Sequence, residues 1–436
     1  MDRTGFYPWY VVAVLLVGSI FAYLDRLVMG FLIDPIKADL HLNDTQMGIL
    51  NGFAFAAFYV IMGVPLGRLV DTRNRKVILA SCMTIWSVAT AGCGLAVSYA
   101  TMFLARVGVG VGEAALNPSA VSIISDTFPK NKVTKAISFY TLSIYIGGGL
   151  AIILGGTLID LFASLGAISL PLLGEVAGWR LVFISVGGPG ILVAVVLLLT
   201  VREPKRTAIV QLDSSGDTGS LKGVMAYLRS HAKLYTLMFV GFIAFGFNTY
   251  TTISWFPAML MRTYGMIPGD IAVTFGIIYI VGGVGGALSV GFLVRFFERL
   301  GFLEAPIILC LSASVVSTIP IIFAPMMPTA TGCLALFSIF MVCWGIVISA
   351  SFSAVALVTP GNMRGIMTGI YMILMNVTGG AFAPVFVGLL SDYLFGADHV
   401  RYALSTVGAV TMPIACISFL LLRPSYRKAI KRIFST

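Results

Sequence analysis

The sequence predicts an all-α membrane protein, twelve transmembrane helices in two six-helix bundles, and three observations predict it. First, 58% of the 436 residues are hydrophobic and only 11% charged, against about 45–50% and about 25% in globular chains. The mean hydropathy of +0.98 says the same: most of this surface belongs in a bilayer. Second, the chain divides into twelve apolar runs, each long enough for the roughly 20 residues a helix needs to cross the hydrocarbon core. Third, lysine and arginine alternate sides when those runs are threaded back and forth. Twenty-two fall on the side of the termini and four on the other, with Arg26 and Arg106 inside spans.

Span 1, about 8–33, starts after Tyr7 and runs past Asp25 and Arg26 to Ile33. That is too long for the apolar region of a cleavable signal peptide. Spans 2 and 3, about 45–70 and 76–97, flank a short basic loop, and spans 4, 5 and 6 follow at about 99–125, 136–163 and 179–201. The longest polar connection runs from Arg202 to His231 and contains Asp213-Ser-Ser-Gly-Asp-Thr-Gly-Ser220. It divides the chain into an N-terminal bundle (1–201), a cytoplasmic linker (202–231) and a C-terminal bundle with a short basic tail (232–436). A flexible polar linker is what two six-helix repeats moving against each other require. Spans 7 to 12 lie at about 232–261, 269–297, 303–324, 330–358, 362–392 and 400–423. Pro65, Pro118, Pro189, Pro257 and Pro384 lie inside spans, where neighbouring helices satisfy the freed backbone.

The basic asymmetry puts both termini in the cytoplasm. Short loops suit a bacterial inner membrane. The net charge of +10 is therefore topological; its short clusters between apolar runs argue against a nucleic-acid partner. All six cysteines lie in apolar stretches without a C-x-x-C pair and read as small hydrophobes. The three histidines, His41, His231 and His399, fall in loops without metal-ligand spacing, and there is no G-x-S-x-G elbow. Neither a metal, a cofactor nor an enzyme is expected.

Charges inside the spans point to function. Asp25 and Arg26 in span 1, and Arg106 and Glu113 in span 4, lie farthest from any span end. An ionised residue at a helix centre costs about 2.5–3.5 kcal/mol on insertion scales, so these four should face a wet cavity or one another. Arg106 and Glu113, seven residues apart, share a helical face. The expected pairs are Asp25 with Arg106 and Arg26 with Glu113. A static set of ion pairs holding spans 1 and 4 together is the plainer reading. The functional one is a proton-coupling switch at Glu113 and Asp25, because the protonation of a carboxyl in a low-dielectric site depends strongly on its partner's distance. Tyr140, Asn248, Tyr250 and Asn376 are candidate cavity-lining residues on otherwise apolar spans.

The loop Gly67-Arg-Leu-Val-Asp71-Thr-Arg-Asn-Arg75-Lys76 resembles the major facilitator superfamily signature, G-x-x-x-D-[RK]-x-G-[RK]-[RK], departing from it at Thr72 and Asn74. Arg106, Gly110 and Gly112 match a second pattern of that superfamily, R-x-x-x-G-x-G. Span 5 carries Gly147-Gly148-Gly149 and Gly155-Gly156 but lacks the Gly-Pro step of many antiporters. Gly67 can bring two helices close, and Asp71 can sit against the positive end of another helix. The resemblance implies that this helix is span 11, near Gly361-Asn362, making Gly67, Asp71 and Arg75 a conformational latch.

Tyr23-Leu24-Asp25-Arg26, Asn74-Arg75-Lys76 and Gly112-Glu113-Ala114 together look like the spinster branch of lysolipid and sphingolipid transporters. That resemblance implies a proton-coupled, monomeric carrier of an amphipathic lipid, a lysophospholipid or phosphorylated sphingoid base, working by alternating access. Arg26 or Arg106 would hold the headgroup phosphate. The alternative is a proton-coupled exporter of drug-like molecules or a carrier of small metabolites, since Asp25 and Glu113 could also hold a cation.

Overall fold

The computed structural model describes residues 5–165, 168–170, 174–204, 221–361 and 363–434. The polar stretch 213–220 and Asn362 lie outside them. Among the described residues, twelve helices are long and apolar enough to cross a membrane: Phe6–Phe31, Asp44–Thr72, Arg75–Gly94, Tyr99–Thr127, Asn131–Ser164, Gly178–Thr200, Ala232–Tyr264, Pro268–Arg299, Ala305–Met326, Ala330–Val358, Arg364–Phe395 and Ala397–Arg432. These are spans 1 to 12.

Local chemistry sets their ends. Asn43 and Ser98 each form a reciprocal capping box at the start of spans 2 and 4, satisfying backbone donors that would otherwise be orphaned. Asn74, where the signature loop expects glycine, caps span 3 by accepting from Val77 N at 3.1 Å. Span 1 stops two residues short of the expected end, at Phe31, and a short helix, Ile33–Leu40, follows it. Several spans are interrupted. π-helical turns occupy Ile49–Phe53 in span 2 and Asn376–Phe382 and Ser391–Phe395 in span 11, and such turns re-aim carbonyls that a regular helix keeps to itself. Span 4 breaks between Glu113 and Leu116, just ahead of Pro118. One departure from the all-helical expectation is a short antiparallel hairpin, Ile168–Leu170 with Gly174–Val176, between spans 5 and 6.

The chain forms two compact units. The first comprises Met1–Ile209, Ile253–Ile277 and Pro384–Asp398, and the second Val210–Thr252, Ile278–Ala383 and His399–Thr436. In the first, Trp86 and Phe183 are fully buried; in the second, Phe242, Phe245 and Phe340 are. Leu104, Leu199, Leu288, Phe292 and Ile319 lie exposed on the outside of the spans. So much exposed apolar surface fits hydrocarbon and not water.

Candidate functional site

The in-span charges meet within the first unit. Close helix packing puts them there: a methyl group at Gly110 would collide with the carbonyl of Phe55 on span 2, and one at Gly112 would lie 2.8 Å from the Cys82 carbonyl oxygen on span 3. Span 4 is thus pressed against both neighbours. Asp25 (2% exposed), Arg106 (1%) and Glu113 (0%) are buried.

Arg26 reaches Glu113, as its position predicts. Its Nε donates to Glu113 Oε2 at 2.6 Å, and Nη2 pairs with the same oxygen. The Arg26 side chain keeps 26% of its surface exposed. Its guanidinium lies 4.6 Å from the centre of the Phe55 ring and 5.0 Å from that of Tyr59, an electrostatically favourable setting for a cation. Glu113 Oε1 has no hydrogen-bond partner among the described residues, nor has Asp25 Oδ1.

The expected contact between the Asp25 carboxylate and Arg106 is not made. Arg106 Nε donates to the Leu50 carbonyl at 3.2 Å, and its Nη1 reaches the Asp25 backbone oxygen at 3.4 Å. Leu50 lies in the π-helical turn of span 2, so backbone carbonyls satisfy this arginine. Asp25 and Arg26 are neighbours about 100° apart around one helix, and of the two it is Arg26 whose side chain hydrogen-bonds to span 4.

Tyr140 is buried within a polar chain. It accepts from Ser19 Oγ at 3.0 Å and donates to Asn117 Oδ1 at 3.1 Å, while Asn117 Nδ2 reaches the Tyr59 hydroxyl at 3.4 Å. The other polar candidates belong to the second unit. Asn248 is buried and hydrogen-bonded to Thr411 of span 12. Half-buried Tyr250 packs on Gly379, and Asn376 donates to the Met372 carbonyl at 2.9 Å. Phe55 and Tyr59, four residues apart and flanking Arg26, went unremarked in the sequence. Their spacing on one helical face was the available signal.

A second charged cluster, also missed, gathers in the first unit beyond the end of span 1 that lies away from the N-terminus. Arg262 at the end of span 7 holds Asp34 at 2.6 Å through Nη2 and buried Asp44 at 2.7 Å through Nη1, and donates to the Ala397 carbonyl at 2.8 Å. Asp44 also accepts from Lys37 at 2.7 Å and Ser391 at 2.6 Å. Asp392 of span 11 takes the backbone amides of Asp44 and Thr45 at 3.1 and 2.7 Å. One network therefore binds the ends of spans 1, 2, 7 and 11.

Twelve spans, a glycine-packed fourth helix and buried charges between spans 1 and 4 describe an architecture, and residues 15–384 match the sequence profile of the Major Facilitator Superfamily. The chain belongs to the Major Facilitator Superfamily. It is an integral, multi-pass membrane transporter for a small-molecule substrate rather than an enzyme, and it is of the spinster branch. A bacterial homolog of the human lysosomal transporter Spinster, solved in an inward-facing, unoccupied conformation, shares 26% sequence identity with a TM-score of 0.80, over 98% of this chain and 97% of that one. Protein spinster homolog 1 of Homo sapiens is 26% identical over 88% of this chain and 73% of its own length. An MFS-type efflux pump of Mycolicibacterium smegmatis is 28% identical over 97% of this chain and 94% of its own.

The superfamily's signature loop can then be read in place. Asp71 is exposed, with no ion pair among the described residues. A methyl group at Gly67 would meet nothing within 4 Å, so the close helix approach expected there is not made in this conformation. Arg75, by contrast, is buried. Its Nε donates to Glu203 at 2.7 Å, Nη1 to Ser122 Oγ at 2.9 Å and to Asp126, and Nη2 to the Pro204 carbonyl at 2.7 Å. It ties the start of span 3 to the end of span 4 and the exit of span 6.

Proposed function

We propose that the protein is a proton-coupled carrier of an amphipathic lipid, a lysophospholipid or phosphorylated sphingoid base in kind, working by alternating access. The observation that carries this reading is the Arg26–Glu113 pair. A buried carboxylate spends one oxygen on a single arginine, and that arginine is partly exposed among aromatic rings. Protonating Glu113 removes the charge that holds Arg26. The freed guanidinium then suits a headgroup phosphate, which accepts two parallel hydrogen bonds from it. Asp25 is the second proton site. Arg106, sealed against backbone carbonyls, positions spans 1, 2 and 4 and leaves the phosphate to Arg26.

The two bundles, 1–201 and 232–436, rock about their linker, with both termini in the cytoplasm of a bacterial inner membrane and the protein a monomer. The Arg262 network is the lock on the outer face that each cycle releases. Gly67, Asp71 and Arg75 serve the opposite face as a latch.

Uptake into reconstituted vesicles with an imposed pH gradient tests the reading across a panel of lysolipids and cationic dyes. Gradient-dependent flux of phosphate-bearing lysolipids is expected. Lipid flux indifferent to the gradient would overturn proton coupling. The likeness to the Mycolicibacterium efflux pump favours a second reading, export of drug-like molecules, and dye flux without lysolipid flux would select it.

A further inference from the structure

The last helix runs from Val400 to Phe434, 35 residues. That is about 52 Å at 1.5 Å per residue, well beyond a hydrocarbon core of about 30 Å. Its apolar stretch ends at Leu422, and the turns beyond carry Arg423, Arg427, Lys428, Lys431 and Arg432. Leu422, Tyr426 and Ile430 recur every fourth residue and are buried, and the Tyr426 hydroxyl donates to the Ala354 carbonyl at 3.0 Å. This stripe docks the extension onto the second unit. Arg423, Arg427 and Lys431, also four apart, form an adjoining stripe.

With Lys428 and Arg432 they line an open groove of about 820 Å³, and a second hollow of about 290 Å³ alongside shares Lys428 and Arg432. Glu304, 1% exposed, sits at the groove's inner wall, accepts from Arg423 Nη2 at 3.2 Å and lies 3.7 Å from Arg427 Nε. One carboxylate thus gathers two arginines, while Lys428 and Lys431 have no ion pair among the described residues. Arg423 Nε is buried without a hydrogen-bond partner among the described residues. Leu420 borders the groove at the hydrocarbon end, next to exposed Leu421.

We propose that this groove binds the phosphate of an anionic membrane phospholipid, the headgroup against the arginine and lysine stripe and an acyl chain along Leu420 and Leu421. Guanidinium groups grip phosphate oxygens bidentately, and basic hollows at helix ends collect anionic lipids from the adjacent leaflet. The apolar border commits the site to a lipid rather than a free anion. It is separate from the charges between spans 1 and 4, and it holds whatever the transported substrate proves to be.

The test is retention of phosphatidylglycerol against phosphatidylcholine by the full-length protein in detergent, read by native mass spectrometry. A parallel arm uses inorganic phosphate as competitor. The wild type should retain phosphatidylglycerol selectively, and inorganic phosphate at millimolar concentration should not displace it. Each exposed cation removed should weaken retention about fivefold, so Arg427→Gln/Lys428→Gln/Lys431→Gln should lose about 125-fold. The double variant Lys428→Gln/Lys431→Gln leaves Glu304 and its arginines untouched; it should lose about 25-fold, and it keeps the test alive should the triple variant misfold. Equal retention of the two lipids, undiminished retention by the double variant, or displacement by inorganic phosphate would each overturn the proposal.

Discussion

Two arginines in the first compact unit hold buried carboxylates, and they do so in opposite ways. Arg262 divides its donors among Asp34, Asp44 and the Ala397 carbonyl, and Asp44 is further held by Lys37 and Ser391. Arg26 gives two nitrogens to one oxygen of Glu113, whose other oxygen has no hydrogen-bond partner among the described residues. A fully connected polar network in a low-dielectric setting stands or falls as a whole. An under-connected pair changes state with one proton. The contrast separates a site that fixes a conformation from a site able to read a chemical signal, although both are built from the same residue types.

The largest effect should come from breaking the saturated site. Arg262→Ala leaves Asp44 buried with Lys37 as its remaining cation and Asp34 without its partner. Breaking a buried pair by removing one partner costs about 3–5 kcal/mol; Lys37 beside Asp44 offsets part of that, and the remainder should still lower the unfolding midpoint in detergent by a few degrees. Arg262→Lys should recover part of it, since a lysine restores the charge but not the planar fork. A midpoint for Arg262→Ala equal to the wild type would mean that the network binds nothing together.

Breaking the unsaturated site should act on transport instead. Glu113→Gln preserves size and hydrogen-bonding capacity but carries no charge at any pH. Transport driven by a pH gradient should fall at least about 100-fold, or about 2.7 kcal/mol in barrier terms, while yield and elution profile stay those of the wild type. Unaltered gradient-driven uptake would make the Arg26–Glu113 pair one more structural tie, and the contrast with Arg262 would disappear.

What the sequence made legible follows from how each feature is encoded. Spans are local: twelve apolar runs read directly as twelve helices, because each must satisfy its own backbone in lipid. The Arg26–Glu113 contact was legible because charges deep in spans are scarce, and depth follows from the rise per residue. Asp25 with Arg106 misled because direction around the helix matters as much as depth, and the π-helical turn at Ile49–Phe53 offered carbonyls that no periodicity announces. The Arg262 network escaped notice for a third reason. Asp34, Asp44, Arg262 and Asp392 sit at or beyond span ends, where charges are ordinary, and they come together from more than 200 residues apart. Only the fold reveals that they meet.

The smallest effect on stability, and the sharpest division within a single motif, should come from the signature loop. Arg75 and Asp71 stand four residues apart; one is buried with partners on two other segments, the end of span 4 and the exit of span 6, and the other is exposed. Surface substitutions usually change stability by no more than about 0.5 kcal/mol, so Asp71→Asn should leave the unfolding midpoint where it is. If Asp71 engages its partner only in another stage of the cycle, the same variant should nevertheless slow vesicle uptake several-fold. A slowed carrier with an unchanged midpoint is the signature of a residue whose contact exists in a state other than this one. Unslowed uptake would leave the loop with a purely structural purpose, supplied by Arg75 alone.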